Sequence, residues 1–240
     1  KNILSEGSHF NEIFNYSFAS DTDAKFEENS FEKIEIQNSM PEEFQFMRTS
    51  IYPSLMKNLF LNQDRFDTLR IFEFGRTYHY SSKVGVTNEK RFFGLASLLN
   101  IKNSDNSYSL IEKELLSFRK TFEIVFSKLN LPKIQMEICT KPCLHPNSSI
   151  EFKFENTIIG EAGILHPRWK DIYGLRKVTL IGKIHFDELL KISESVRSNF
   201  HFQSPSNFPQ DKLDISVIMD KKSSTQDFAN AVKNEKIPEI

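Results

Sequence analysis

At 240 residues, with 39% hydrophobic and 26% charged side chains, the chain has the composition of a globular protein and room for one large domain, or one domain and part of another. Its formal net charge of −1 excludes a broad basic surface for nucleic acid, so any RNA contact is expected to be local or shared with other domains. No apolar run approaches the roughly 20 residues that span a bilayer, the first residues lack a signal-peptide core, and two cysteines cannot staple a chain of this size. The cytoplasm is the expected compartment.

The 23 phenylalanines can dominate a core, since burying each contributes roughly 1.5–3 kcal/mol; a gene of biased base composition is the alternative source of their number. The chain opens at Lys1 without a start methionine and without a cap, as a segment of something longer. Leu4, Phe10, Ile13 and Phe14 have a loosely helical spacing, and Asn15–Phe18 reads as extended. Phe31–Gln37 reads as a short strand, broken by Asn38-Ser39-Met40-Pro41. A helix is predicted over Ser50–Arg65, with Pro53 in its first turn and Leu55, Leu59 and Asn62 on one side.

Leu69–Tyr80 and Arg91–Leu99 are strand candidates, paired antiparallel across the polar loop Ser81–Lys90. The strongest helix pattern is Ser109–Asn130, opened by a Ser109/Glu112 capping box and carrying Ile111, Leu115, Phe118, Phe122, Val125 and Leu129 on one face before Pro132. Ile150, Phe152 and Phe154 alternate, turn at Glu155-Asn156, and return through Ile158, Gly160 and Ala162. Val178–Phe186 reads as a strand followed by a helix from Asp187. A boundary is expected near residues 198–210, after which Leu213, Ile215, Val217 and Met219 alternate and a helix starts near Ser224. One β–α unit cannot bury a core, so this last stretch reads as a domain fragment.

No chemistry-bearing motif is complete. The eight glycines are scattered, and Gly160-Glu161-Ala162-Gly163 sits in a hairpin rather than at a strand-to-helix turn, which excludes a phosphate loop or dinucleotide fingerprint. Cys139, Cys143 and His145 have ligand-like spacing but need a fourth zinc ligand; two reduced cysteines at a strand end are the simpler reading. His145-Pro146 and His166-Pro167 fit structured turns better than bases or ligands. Glu27-Glu28 and Glu42-Glu43 fit solvated charge, and no serine or cysteine has a histidine in a nucleophile motif. Arg168, Trp169, Lys170, Tyr173, Arg176 and Lys177 mix basic and aromatic groups as RNA-binding surfaces do, or form a solvated loop with one anchoring tryptophan.

The order of several segments resembles the β subunit of bacterial phenylalanine–tRNA ligase. They are Asn38-Ser39-Met40-Pro41 with Met47–Leu55 and Asn62; Ile71–Arg76, continuing through a loop to Glu89; and His145-Pro146 followed by Ile159–Pro167. The fourth is Phe208-Pro209 with Asp211 and Asp214–Val217. The resemblance implies an α+β fold, in which an antiparallel sheet flanked by helices forms a class II aminoacyl-tRNA synthetase-like core. That core would occupy residues 1–200. Residues 201–240 would hold a linker and the truncated β–α start of a ferredoxin-like anticodon-binding domain. Two departures stand out: Tyr108–Lys113 replaces the family's aromatic-Asp-Leu-Lys-Gly stretch, and His9 stands where a glycine usually precedes the first Phe-x-Glu.

The resemblance also implies a division of labour. A class II site holds ATP phosphates with one arginine from a strand hairpin and another after a glycine-rich strand. Here the hairpin offers Arg70 and Arg76, while Gly174-Leu175-Arg176 has no glycine-rich strand before it. The reading is therefore a non-catalytic module, with no catalytic, cofactor or metal residues of its own. ATP and Mg2+ would serve the complete ligase, an α subunit would be the partner in a heterotetramer of two α and two β chains, and tRNA contact would be weak or indirect, with no membrane contact. Ile51, Leu55, Met56, Leu59 and Phe60, on an unusually apolar helix, and Arg48 just before it are expected at the α-subunit interface; the alternative is that strands 69–99 and the N-terminal helix cover both faces. The rival functions are a degenerate but active class II ligase core and a free-standing RNA-binding module.

Overall fold

Strand alternation builds one large sheet. In the computed structural model, which describes residues 1–26, 32–39, 41–81, 86–101, 107–131, 134–198, 214, 216–220, 228–229 and 231–232, the chain divides into two units, Lys1–Phe200 and His201–Ile240. The first unit begins with helix α1 (Asn2–Ser8), strand β1 (Asn11–Glu12), strand β2 (Phe18–Ala19) and the single-turn helix α2 (Asp21–Ala24). Strand β3 (Phe46–Met47), helix α3 (Tyr52–Asn62) and the long strands β4 (Thr68–Ser81) and β5 (Val86–Leu99) follow. Helix α4 (Ser107–Lys128) then leads to β6 (Gln135–Ile138), β7 (Leu144–Phe154), β8 (Thr157–Leu165), helix α5 (Pro167–Ile172), β9 (Val178–His185) and helix α6 (Phe186–Ser198).

Among the described residues the sheet has seven strands in the order β1-β4-β5-β9-β8-β7-β6. Every pairing in it is antiparallel except that of β1 with β4. Because side chains alternate across a strand, each face has its own core. On one face Ile51, Tyr52, Leu55, Met56 and Leu59 pack with Phe92, Ala96, Leu98, Ile181, Phe26 and Trp169. Gly94 lets α3 come this close, since a Cβ there would lie 2.8 Å from Ile51 and 2.9 Å from Leu55. On the other face Phe72, Leu95, Phe152, Leu180 and Ile184 meet α4 and α6 through Phe118, Phe122, Phe126 and Leu189. Phe122 stacks on Phe152 at 4.9 Å between centroids. Among the described residues, Phe26 and Phe92 on the first face, with Phe10, Phe72, Phe118, Phe122, Phe126 and Phe152 on the second, make eight buried phenylalanines, so the excess in the sequence does serve the core.

Four expectations change. Helix α4 starts at Ser107, so Ser109 lies inside the first turn and the Ser109/Glu112 pair does not cap it. Strand β5 starts at Val86, within the stretch read as loop, because Asn88 and Glu89 continue the ladder opposite His79 and Tyr78. The strand expected at 31–37 is a strap held by single bridges, Glu32 to Tyr80 and Glu35 to Phe46; Phe31 lies outside the described residues. The opening helix stops at Ser8, where His9 takes the left-handed conformation (φ 57°, ψ 39°) that glycine ordinarily fills at a helix end. Beyond the boundary, the expected strand and helix fall largely outside the described residues: 214 and 216–220 carry no ladder, and 228–229 and 231–232 are helical.

Candidate functional site

Alternation also sorts the polar side chains of the hairpin. Glu73, Gly75, Thr77 and His79 of β4 face the α3 side, whereas Arg70 and Arg76 face the side of α4 and α6. Arg70 is locked to Glu114 by bonds of 3.0 and 2.7 Å and to Ser117 at 2.9 Å, and Ser97 donates to the same carboxylate at 2.7 Å. Arg76 pairs with Glu89 on the surface at 3.1 Å. Arg176 pairs with Asp64, while its backbone N–H is held by Gln63. These three arginines do not converge on one site.

The α3 side of the sheet holds a buried polar network instead. Tyr52 donates to Glu161 at 3.1 Å, and Lys183 lies 3.5 Å from the same carboxylate oxygen. The Lys183 ammonium sits 5.0 Å from the Tyr52 ring centroid and 5.3 Å from that of Phe92. Lys141 bridges Glu151 at 3.1 Å and Glu161 at 3.7 Å. Burial alone raises the Glu161 carboxyl, but Lys183 and Lys141 outweigh it and hold the group below the ordinary carboxylate value. His79 and His185 lie nearby; burial, reinforced by Lys183 and Lys90, pushes both imidazoles down to about 4, so they are neutral at pH 7. A cleft of about 250 Å³ beside them is lined by Lys90, Phe92, His185, Asp187 and Lys191, below the roughly 300–1,000 Å³ usual for small-molecule sites.

At the open end of this face, Arg48 ties the N-terminal segment to the sheet. Its guanidinium donates to Glu73 at 2.8 Å and to the Arg76 carbonyl at 2.7 Å, and both charged side chains are buried. Gly75 makes the room, because a Cβ there would lie 2.1 Å from the guanidinium. Asn15 donates to the second Glu73 oxygen at 2.8 Å and accepts from Asn58 of α3 at 2.7 Å. The Arg48 N–H reaches the Ser17 carbonyl at 2.9 Å. Residues 13–18 are thereby fixed along α3 and β4.

The six residues expected at a partner interface part company. Arg48, Ile51, Leu55, Met56 and Leu59 are buried within this chain, so their contacts are already taken. The physical reason is that the sheet covers one side of α3 while Phe26 and Trp169, 4.5 Å apart, cover another. Phe60 stays half-exposed, its ring resting on Gly174. His145 and His166 each accept a backbone N–H two residues on, at 3.3 and 3.2 Å, as turn and helix-cap residues do. Cys139 and Cys143 are buried, and among the described residues no three His, Cys, Asp or Glu side chains gather as metal ligands. Trp169 is an anchor, though on helix α5 rather than in a loop. The sequence reading overlooked Phe14, Tyr16 and Phe18 as a group: all three are exposed along one side of the fixed segment, and their alternation was the signal.

Comparison with known proteins gives this geometry a lineage. The family model for the phenylalanyl-tRNA synthetase beta chain CLM domain matches residues 2–186. The chain belongs to this family. The phenylalanine–tRNA ligase β subunit of Leptospira biflexa is 42% identical over all of this chain, and that of Leptospira borgpetersenii 33%. The chain spans 30% of the length of each. Solved structures share the fold at low identity. A pyrrolysyl-tRNA synthetase from Desulfitobacterium hafniense superposes with a TM-score of 0.61 at 13% identity, over 79% of this chain and 65% of that one. A Giardia lamblia prolyl-tRNA synthetase does so at 0.59 and 12%, over 80% and 44%. The family member described here thus has a class II synthetase fold, as the resemblance implied, with a seven-stranded sheet flanked by helices.

Proposed function

We propose that this chain is a non-catalytic module of the β subunit of a phenylalanine–tRNA ligase, supporting the α subunit that attaches phenylalanine to tRNA(Phe). The observation that carries the reading is the filled face of the sheet. Where a class II core would need free cationic groups, Lys183 and Lys141 are bonded to Glu161 and Glu151, and Arg48 to Glu73. These residues do not fit ATP and Mg2+, which act in the complete ligase. The partner is an α subunit, in an assembly of two α and two β chains. Residues 1–200 form the module and 201–240 begin the anticodon-binding domain. The near-neutral charge supports weak or indirect tRNA contact. No described helix is long and apolar enough to cross a membrane, which fits work in the cytoplasm.

Co-expression with the α subunit tests this. The intact β subunit should co-purify with α, and phenylalanine-dependent ATP–pyrophosphate exchange should need α. Exchange by this chain alone, abolished by Lys183→Ala, would overturn the reading.

A further inference from the structure

One transverse row of side chains on the α3 side of the sheet runs against the usual logic of strand pairing. Glu137 of β6 stands opposite Glu151 of β7, and Glu151 stands opposite Glu161 of β8. Like charges directly opposite on neighbouring strands are destabilising, and a buried ion pair is often no better for stability than packed apolar side chains. Glu161 is buried nonetheless, with 4% of its side chain exposed. What calls for a carboxylate at this point is the set of donors around it. The Tyr52 hydroxyl, from the first turn of α3, donates to Oε1 at 3.1 Å, and the Lys183 ammonium of β9 lies 3.5 Å from the same oxygen. Lys141, in the connection between β6 and β7, reaches Oε2 at 3.7 Å. Donors from three separate elements thus converge on one two-oxygen anion. Burial works against the Lys141 ammonium, but Glu161 and Glu151 outweigh it and hold the group above its ordinary value.

We infer that Tyr52, Lys183 and Lys141 form a carboxylate-binding site whose ligand is built into the chain as the Glu161 side chain. The donors set the charge of that ligand. Without Glu161, the two ammoniums of Lys183 and Lys141 would face the single carboxylate of Glu151, which lies 3.1 Å from Lys141. A buried site left with a surplus cation draws an anion, because an unpaired charge out of water is costly. The geometry sets the ligand's size. Each carboxylate oxygen already has its donor, which suits a planar two-oxygen group, whereas a phosphate would bring further negative charge against Glu151. Cutting Glu161 back to alanine removes one methylene and the carboxyl group, the heavy atoms of acetate. In the native chain the tethered carboxylate is held at a high effective concentration, so free carboxylates do not displace it. This goes beyond the function proposed above and does not depend on the α subunit: it assigns the filled face a ligand class and names the group that fills it.

The test uses the intact β subunit carrying Glu161→Ala, with acetate as the probe. Acetate is titrated against chloride at equal ionic strength and followed by saturation-transfer NMR and by thermal unfolding. It should bind the variant saturably and restore at least half of the melting temperature lost on substitution, while leaving the unsubstituted subunit unchanged. Binding should be at least tenfold weaker in Glu161→Ala/Lys183→Met, which removes the stranded cation, and phosphate should act as chloride does. If the single variant does not fold in chloride, recovery of the fold in acetate becomes the readout. A variant that gains nothing from acetate, or stays unfolded in acetate as in chloride, overturns the inference. So does equal acetate binding by the double variant or by the unsubstituted subunit, or tighter binding of phosphate than of acetate. Failure here leaves the function proposed above standing, because retention of α is measured separately.

Discussion

Arg48→Met isolates what the buried ion pair contributes. The substitution keeps most of the side-chain volume but removes the donors to Glu73 and to the Arg76 carbonyl. Glu73 then keeps Asn15 on one oxygen and loses its partner on the other. Both lost bonds come from the charged guanidinium, and each such bond is worth about 1.5–3 kcal/mol. That agrees with the roughly 3–5 kcal/mol typical of stranding one member of a buried pair. For a unit of this size, each kcal/mol shifts the melting temperature by about 2–4 °C, so a fall of about 10 °C is expected. Adding Glu73→Gln removes the stranded charge, and Arg48→Met/Glu73→Gln should regain a good part of the loss. Thermal and urea melts of the four proteins give the coupling directly. A drop of less than about 2 °C in Arg48→Met, or a double variant as unstable as the sum of the singles, would refute the reasoning.

Three further outcomes can be measured on the same material. Met56→Ala should lower stability by about 2–5 kcal/mol, because the side chain is fully buried, whereas the exposed Leu61→Ala should stay within about 0.5 kcal/mol by urea midpoints. His79 is kept neutral in the fold, its pKa pushed down from 6.5 to about 4. His185 is held in the same way, so the unfolded chain binds more protons below 6.5 and stability should fall as pH drops, by about 2 kcal/mol for each imidazole from pH 7 to pH 5, and His79→Gln should remove about half of that slope in urea melts. His9→Gly should raise stability by up to about 1 kcal/mol, since glycine takes the left-handed conformation without strain; a lower melting temperature would mean the imidazole makes contacts that outweigh the backbone.

What was legible in the sequence was local. The β4–β5 and β7–β8 hairpins and helices α3 and α4 follow from alternation and helical spacing within about 20 residues. Which apolar and aromatic side chains stay exposed was not legible, for two reasons. A stripe such as Ile51, Leu55, Met56 and Leu59 announces burial but not what does the burying, and here Trp169 comes from more than 100 residues away. Alternation, in turn, has no sign: the extended stretch Asn15–Phe18 does not say which of its sides faces the protein until Asn15 is seen bonded to Glu73 and Asn58. The hairpin arginines Arg70 and Arg76 were correctly located on the chain, yet their facing depends on register, which places them opposite Ser97 and Arg91.

The strand order carries a consequence for how the module comes together during synthesis. Strands β6 to β9 form a meander of neighbours, and β4 with β5 forms a separate hairpin. The two halves meet only where Leu99 pairs with Val178 and the ladder runs on to Phe92 and His185. That seam closes a loop containing all of α4, and such closures are slow relative to hairpins. Until it shuts, Leu95, Leu98, Leu180 and Ile181 lie on two open strand edges, and Lys183 is the one lysine in the ladder that will join them. The ribosome releases the first of these edges some 80 residues before the second. Over that interval the nascent chain is at its most prone to pairing with a copy of itself.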